Sequence, residues 1–389
     1  MALTETIAFI IHDLNERGGQ DRLTLELCRR LARHKQLEIH SYTFESTSPI
    51  AAVHRRVRPF FARPVLLKSF MFHCVLTVRF FRRRSRENSI VHAAGSCAFF
   101  ANVVQVHFVH RAWDRIERAL PNRTGRSIFG AAYHLFLRKY DLWSESVAFR
   151  SDRTYLTVSQ SVADEIRRYY PKIHRIETVY PGVDPACFRP AEVRDETIQT
   201  ETRTSVGIAP GERVGLFVGT FDRKGLAHAI DAWGELRRRA VALPRLLIVG
   251  EGNPEAYRTR ARALGVEDCL RFAGRRSDLD RLYRVADFLV FPTLYEPFGM
   301  VGLEAMASGV PPIVSRAAGC AELVEAGESG WLIDDPTDAR ELAEAVERAV
   351  IDPDETRRRG RNARLRALEQ DWDRVAIRYE AALTRREAR

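Results

Sequence analysis

Phe291-Pro-Thr-Leu-Tyr-Glu-Pro-Phe-Gly-Met-Val-Gly-Leu-Glu-Ala-Met-Ala-Ser-Gly-Val-Pro311 is the stretch on which the reading of this 389-residue chain turns. Its apolar opening reads as the end of a strand, the Gly-containing middle as a loop, and about Met300 to Ser308 as a helix. The first amides of a helix have no partner within it, so the turn around Gly299–Gly302 favours an anion such as a diphosphate. Glu296 stands before that turn and Glu304 about one turn inside it. One carboxylate can reach sugar hydroxyls beside the phosphate while the other accepts from ribose hydroxyls. Glu304 taken alone reads equally well as helix capping and surface charge.

Outward from this stretch, short apolar runs alternate with helical patterns. In the first half they lie at Ile7–Ile11, Leu37–Tyr42, Ser89–Ala93, Val103–Val106, Tyr155–Val158 and Glu177–Val179. In the second they lie at Gly215–Val218, Leu246–Val249, Leu270–Ala273, Phe288–Phe291, Pro312–Val314 and Gly330–Ile333. Alternation of this kind predicts βαβ units and parallel sheets, an α/β fold of two Rossmann-like domains facing across a cleft. Pro181, Pro185, Pro190 and Pro210 mark a polar joint. The expected division is an N-terminal domain over 1–185, a linker over 186–212, a second domain over 213–366 and a terminal helix over 367–389.

Charge separates the halves. Residues 1–190 hold 30 basic and 17 acidic side chains, a net of +13, whereas 191–389 hold 31 and 34, a net of −3. The first half therefore expects an anionic partner: a membrane surface, a phosphorylated substrate or nucleic acid. No recognised nucleic-acid motif supports the last of these. From Ser46 to Arg86 there is no acidic residue, but nine arginines, one lysine and six phenylalanines. Pro64–Phe81 is too interrupted by Lys68, His73 and Arg79 to span a bilayer and reads as a basic, aromatic helix lying in the interface. An ordinary helix with solvated arginines is the plainer alternative. The six cysteines are scattered without a Cys-x-x-Cys pair, which predicts a reducing compartment and no zinc or redox pair. Met1-Ala2-Leu3-Thr4-Glu5 has no basic n-region, so no signal peptide is expected.

Other motifs are weaker. Gly250-x-Gly252 follows a strand but lacks a third glycine and reads mainly as a turn. Asp278-Leu279-Asp280 reads as the start of a helix, not as a metal site. No nucleophile elbow, P-loop or His-Glu-x-x-His is present. Only five lysines stand against 56 arginines, and Lys224 is the sole lysine after residue 172. A lone lysine in so arginine-rich a chain points to a compact charge for phosphate.

Glu296 and Glu304 together form the Glu-x7-Glu signature of family 4 glycosyltransferases with the GT-B fold, and the chain resembles that family along most of its length. Phe272-Ala-Gly-Arg275, Leu282-Tyr-Arg-Val-Ala-Asp287, Ala318-Gly319, Glu322-Leu-Val, Gly18-Gly19, Val158-Ser159 and Val179-Tyr-Pro-Gly-Val-Asp184 follow in the expected order. Val218-Gly-Thr-Phe-Asp-Arg-Lys-Gly225 is similar to the lipopolysaccharide-core glucosyltransferase branch. Many members place Arg soon after the strand glycine and Lys a few residues later. Here Thr220 takes the first place and Arg223 directly precedes Lys224.

The resemblance implies roles. Glu304 would hold the ribose and Glu296 the transferred sugar, with Arg223 and Lys224 at the phosphates. Gly219, Gly250, Gly299, Met300 and Val301 would line the diphosphate and sugar, with Gly274 and Arg275 beside the base. Gly19 would close from the other domain. His107 would lie over the sugar, with His110 as the reserve. The activity implied is a retaining, metal-independent transfer of a hexose from a nucleotide-sugar, with UDP expected, to a glycan, lipid-linked or lipopolysaccharide-type acceptor. No cofactor or metal is implied, and a bacterial, cytoplasmic chain held at the inner face of the membrane is the expected setting. A nucleotide-sugar hydrolase or epimerase, and a non-catalytic donor-binding subunit, remain open alternatives.

Overall fold

Short apolar runs and amphipathic helices fold here into two large parallel sheets and a two-stranded one, in a computed structural model that describes residues 6–15, 18–47, 49–58, 65–81, 89–119, 128–192 and 195–385. The chain divides into two compact units. Unit 1 is Met1–Pro181 with Trp372–Arg389, and unit 2 is Gly182–Asp371.

Unit 1 begins with β1 (Thr6–Ile10), β2 (Asp13–Leu14), α1 (Gly19–Leu31), β3 (Gln36–Ser41), β4 (Thr43–Phe44) and β5 (Ala52–Arg56). It continues through α2 (Val65–Phe81), β6 (Ser89–Ala94), β7 (Val103–Val106), α3 (His110–Ala119) and α4 (Ile128–Ala148) to β8 (Thr154–Thr157), α5 (Gln160–Tyr169) and β9 (Ile176–Thr178). Its seven-stranded sheet runs β5-β3-β1-β6-β7-β8-β9 with every neighbour parallel. Strand β5 escapes a periodicity search. Its Ala-Val-His-Arg-Arg sequence is polar and half exposed, as suits an edge strand that must avoid further pairing.

Unit 2 opens on α6 (Glu196–Ser205) and then alternates: β10 (Val214–Val218), α7 (Leu226–Arg238), β11 (Arg245–Val249), α8 (Pro254–Ala263), β12 (Leu270–Gly274), α9 (Leu279–Tyr283) and β13 (Phe288–Phe291). It closes with α10 (Met300–Ala307), β14 (Pro312–Ser315), β15 (Trp331–Ile333), α11 (Ala339–Ile351) and α12 (Pro353–Leu368). The order is β12-β11-β10-β13-β14-β15, again all parallel. By order of appearance this is 3-2-1-4-5-6, the doubly wound arrangement. Phe217, Trp233, Leu246, Phe288 and Ile313 fill its core, and buried Trp233 donates its indole N–H to the Pro244 carbonyl at 2.8 Å.

The Pro-rich joint differs from its compositional reading. Much of 186–212 is built into unit 2 as α6 and its flanks, with Pro190 and Pro210 on either side of the helix. Arg189 forks onto Asp195 at 2.7 and 2.8 Å and holds that carboxyl well below the usual range. Arg203 donates to the carbonyls of Ala209, Glu212 and Val285 at 3.1–3.3 Å.

The last helix, α13 (Trp372–Thr384), belongs to unit 1, where it packs on α1. Arg30 donates to Asp373 at 2.6 Å and stands over the Trp372 ring, while buried Tyr379 bonds His92 of β6. Trp372 is only 1% exposed. Trp372→Ala is expected to destabilise unit 1 by about 3–5 kcal/mol, the usual cost of emptying a buried tryptophan site. Chemical denaturation followed by circular dichroism measures this, and a loss under about 1 kcal/mol would mean that the helix docks without its anchor.

Among the described residues, no helix is long and apolar enough to cross a membrane, and no group of three His, Cys, Asp or Glu side chains is placed to hold a metal ion.

Candidate functional site

In unit 2 the strand order reverses between β10 and β13, and ligands of such sheets settle outside the carboxyl ends of the strands at that point. The loop after β10 carries Gly219, Arg223 and Lys224; the loop after β13 carries Glu296 and leads into α10. Backbone bonds fasten the two together, since Leu294 N–H donates to the Arg223 carbonyl at 3.1 Å and Thr293 Oγ1 to the same oxygen at 3.2 Å.

Glu296 Oε2 accepts from both cations, from Arg223 Nη1 at 2.9 Å and from Lys224 Nζ at shorter range. Arg223 also donates to the Tyr295 carbonyl at 3.1 Å. Lys224 is almost wholly buried and lies over the Phe291 ring, its Nζ 4.6 Å from the centroid. Burial lowers the pKa of its ammonium, opposed chiefly by the Glu296 charge. The site thus concentrates two positive charges on one carboxylate in a poorly solvated corner.

Two glycines let the backbones come close. A Cβ on Gly250 would lie 1.9 Å from the Gly219 carbonyl oxygen, so the loops after β11 and β10 touch. Gly299, at φ +94°, turns the chain into α10 with no side-chain cap, and its Cβ would strike the Phe291 ring at 2.8 Å. The amides of Met300 and Val301 therefore begin the helix as an unshielded N-terminus.

Glu304, one turn into α10, is 3% exposed and accepts from Tyr283 Oη at 3.3 Å; the same hydroxyl reaches the Val301 carbonyl at 3.0 Å. Gly274 ends β12 and accepts from Gly250 N–H at 2.9 Å, and Arg275 pairs with Glu251 at 2.9 Å. Asp278 stands at the start of α9, as read from the sequence, although its carboxylate accepts from the Arg276 fork at 2.9 and 2.7 Å and caps no helix amide. Gly219, Arg223, Lys224, Gly250, Gly274, Arg275, Glu296, Gly299, Met300, Val301 and Glu304 thus gather at the carboxyl ends of β12, β11, β10 and β13.

Three contacts here were not read from the sequence: Tyr283 on Glu304, the Phe291 ring under Lys224, and the buried Cys320 thiol against Gly299 and Gly302. Tyr283 lies within a motif already quoted, so its position was visible although its partner was not.

Gly19 and His107 belong to unit 1. Gly19 is the exposed first residue of α1, and His107 directly follows β7. The His107 Nε2 is buried without a hydrogen-bond partner among the described residues, and burial pushes the imidazole down to about 3. His110 begins α3. Its backbone N–H donates to Glu145, which also accepts from Arg111 N–H at 3.3 Å and Tyr170 Oη at 2.6 Å. Burial lowers His110 to about 4, so both imidazoles are neutral near pH 7.

Residues 17–186 match Glycosyltransferase Family 4, and residues 198–366 match Glycosyl transferases group 1. The chain belongs to these glycosyltransferase families. A D-inositol 3-phosphate glycosyltransferase of Corynebacterium efficiens is 33% identical over 232 residues, covering 57% of this chain and 54% of that protein. The alignment thus spans about half the length of that curated relative. Among solved structures, WaaG, a glycosyltransferase involved in lipopolysaccharide biosynthesis, aligns at TM-score 0.77 and 20% identity over 97% of this chain and 99% of that one. Anabaena HepE in complex with UDP-glucose aligns at 0.70 and 18% over 98% and 100%. Both likenesses establish the shared GT-B fold of this group of glycosyltransferases.

Proposed function

We propose that the protein transfers a sugar from a nucleotide-sugar, retaining the anomeric configuration and using no metal ion. One observation carries this reading: Arg223, Lys224 and the start of α10 bring positive charge to one point at the switch of the unit 2 sheet, around Glu296. A nucleoside diphosphate leaving group develops negative charge as the sugar C1–O bond breaks, and charge preorganised in a dry corner stabilises it most there. The acceptor oxygen bonds to C1 on the same face, and its proton passes to the departing phosphate oxygen. Glu296 has one oxygen engaged by two cations, which suits it to holding sugar hydroxyls more than to attacking carbon. Glu304, held by Tyr283, takes the ribose hydroxyls.

A UDP-hexose donor is supported by the HepE complex with UDP-glucose. A lipid-linked or lipopolysaccharide-type acceptor at an anionic membrane is supported by the involvement of WaaG in lipopolysaccharide biosynthesis and by the +13 of residues 1–190. A thermal-shift screen of UDP-, GDP- and ADP-sugars tests the donor, with the largest stabilisation expected from a UDP-sugar. Sugar released to water at one rate with and without acceptor would make the protein a hydrolase instead.

Transfer is expected to persist undiminished in EDTA, because arginine, lysine and helix amides supply the charge that a divalent ion brings elsewhere. Activity lost in EDTA and regained with magnesium or manganese would overturn this mechanism.

A further inference from the structure

We infer that Glu145 of α4 is a positioning residue for transfer: its carboxylate fixes the start of α3 and thereby sets where His107 stands. This deepens the reading above and rests on the transferase activity and on His107 as the group that meets the sugar, while one arm of its test needs no turnover.

Only His107-Phe108-Val109 joins β7 to α3. The strand end of this loop is pinned, because β7 lies between β6 and β8 and the Val106 carbonyl accepts from Val158 N–H at 3.4 Å. The helix end needs a partner of its own. The first amides of a helix have none within it, and a side-chain oxygen at the preceding position commonly supplies one. That position is Val109, whose carbonyl accepts from Trp113 N–H at 3.1 Å and whose fully buried side chain carries no oxygen.

Glu145 supplies that oxygen from 35 residues away. Its Oε2 accepts from His110 N–H, and its Oε1 accepts from Arg111 N–H at 3.3 Å and from Tyr170 Oη at 2.6 Å. Tyr170 is the residue that ends α5. Arg111 closes over the joint, its guanidinium 4.9 Å from the Tyr170 ring and its Nη2 3.0 Å from Ser146 Oγ. One carboxylate thus ties the start of α3 to the ends of α4 and α5.

Glu145 is 1% exposed, and burial pushes its pKa up against the Tyr170 hydroxyl and the two amides. An apolar side chain would pack α4 against α3 and α5 without burying a charge, so packing alone does not account for a carboxylate here. What an apolar side chain cannot do is accept two amides and so fix the direction in which α3 leaves the sheet. The short loop that carries His107 follows that direction. His107 Nε2 has no partner among the described residues, so on that side the ring is placed by the chain that bears it. Transfer is sensitive to such placement, since a shift of about 1 Å can cost ~10²-fold in rate.

A double-mutant cycle tests this. Glu145→Gln keeps the volume but gives up one accepting oxygen, and Glu145→Asp keeps the charge on an arm one methylene shorter should the amide variant fail to fold. Each is made in the wild-type and His107→Ala backgrounds, and UDP release from UDP-glucose is followed with and without a lipopolysaccharide-core oligosaccharide. In the wild-type background kcat should fall about 10- to 10²-fold, while UDP affinity stays within about twofold. In the His107→Ala background the same change should cost less than about twofold, because the group through which Glu145 acts is already gone. A merely structural carboxylate would lower kcat by one factor in both backgrounds. Hydrogen exchange on the free protein is the second readout: peptides over 107–113 should exchange at least about tenfold faster in the Glu145 variants, with β7 unchanged. Equal losses in both backgrounds, wild-type kcat in a folded Glu145 variant, a fall in UDP affinity matching that in kcat, or unchanged exchange over 107–113 each overturns the inference, as does His107→Ala at wild-type kcat. Wild type that releases no UDP would instead fail the transferase reading with this donor, and the exchange over 107–113 would then decide on Glu145 by itself.

Discussion

Lys224→Ala is expected to lower kcat/KM by ~10²–10³-fold, the usual cost of removing one preorganised charge from a developing anion. Donor affinity should fall at least about tenfold alongside it, since a charge-assisted contact contributes ~1.5–3 kcal/mol. The size follows from the position of the side chain. Lys224 is almost wholly buried, its stem lies against Gly219 and its ammonium stands over Phe291 with Glu296 as partner. Alanine would leave Glu296 to Arg223 alone and open a void beside Gly219 and Phe291. Lys224→Met separates these effects by filling the space without the charge. The methionine variant keeps the packing and the Arg223 bridge to Glu296, so it should lose less stability than alanine, which also opens a void, and yet be as inactive as alanine. Isothermal titration with a UDP-sugar and steady-state transfer kinetics read both quantities. Wild-type donor affinity in either variant would remove Lys224 from the phosphates.

The grouping of the candidate site in unit 2 was legible because its pattern is local. A diphosphate needs a helix start reached through a glycine turn, and two carboxylates eight residues apart bracket that start in the sequence itself. Lys224 stood out for a different reason, as the one lysine in a half that otherwise uses arginine. Contacts that complete the corner come from separate strands and leave no such trace: Phe291 ends β13, Tyr283 ends α9, and Cys320 lies beyond β14. Unit 1 was less legible. Arginines on an edge strand hid β5, and the Glu145 carboxylate that holds the start of α3 lies 35 residues from His110. Proline and threonine between the units suggested a free linker, although Asp195 and Arg203 give the segment enough partners to fold as α6. The terminal helix was readable from Trp372 and Tyr379 because helical spacing sets both on one face.

His107→Ala is expected to reduce transfer at least ~10²-fold, comparable to losing one polar contact made in the transition state, while UDP affinity stays near wild type. The nucleotide contacts proposed above lie in unit 2, and His107 belongs to unit 1, so the variant should separate transfer from donor binding. Its Nε2 is buried and lacks a partner among the described residues, a costly state unless a ligand group completes it. Burial keeps the ring neutral, with its pKa near 3 rather than 6.5. A neutral imidazole can donate to or accept from a sugar hydroxyl, and its charge should not change across the working range. As pH falls from 8 to 5 this group stays unprotonated, so it contributes no limb to the pH–rate profile there. A limb near 6.5 that disappears in His107→Ala would show that the ring is solvated and titrates normally. His110→Ala, by contrast, should act mainly on stability: its ring packs edge-on against Phe108 at 5.1 Å, while its backbone bond to Glu145 survives the change. If His110→Ala were inactive with its fold intact and His107→Ala were active, the two histidines would exchange roles, and the group acting on the sugar would belong to the first turn of α3.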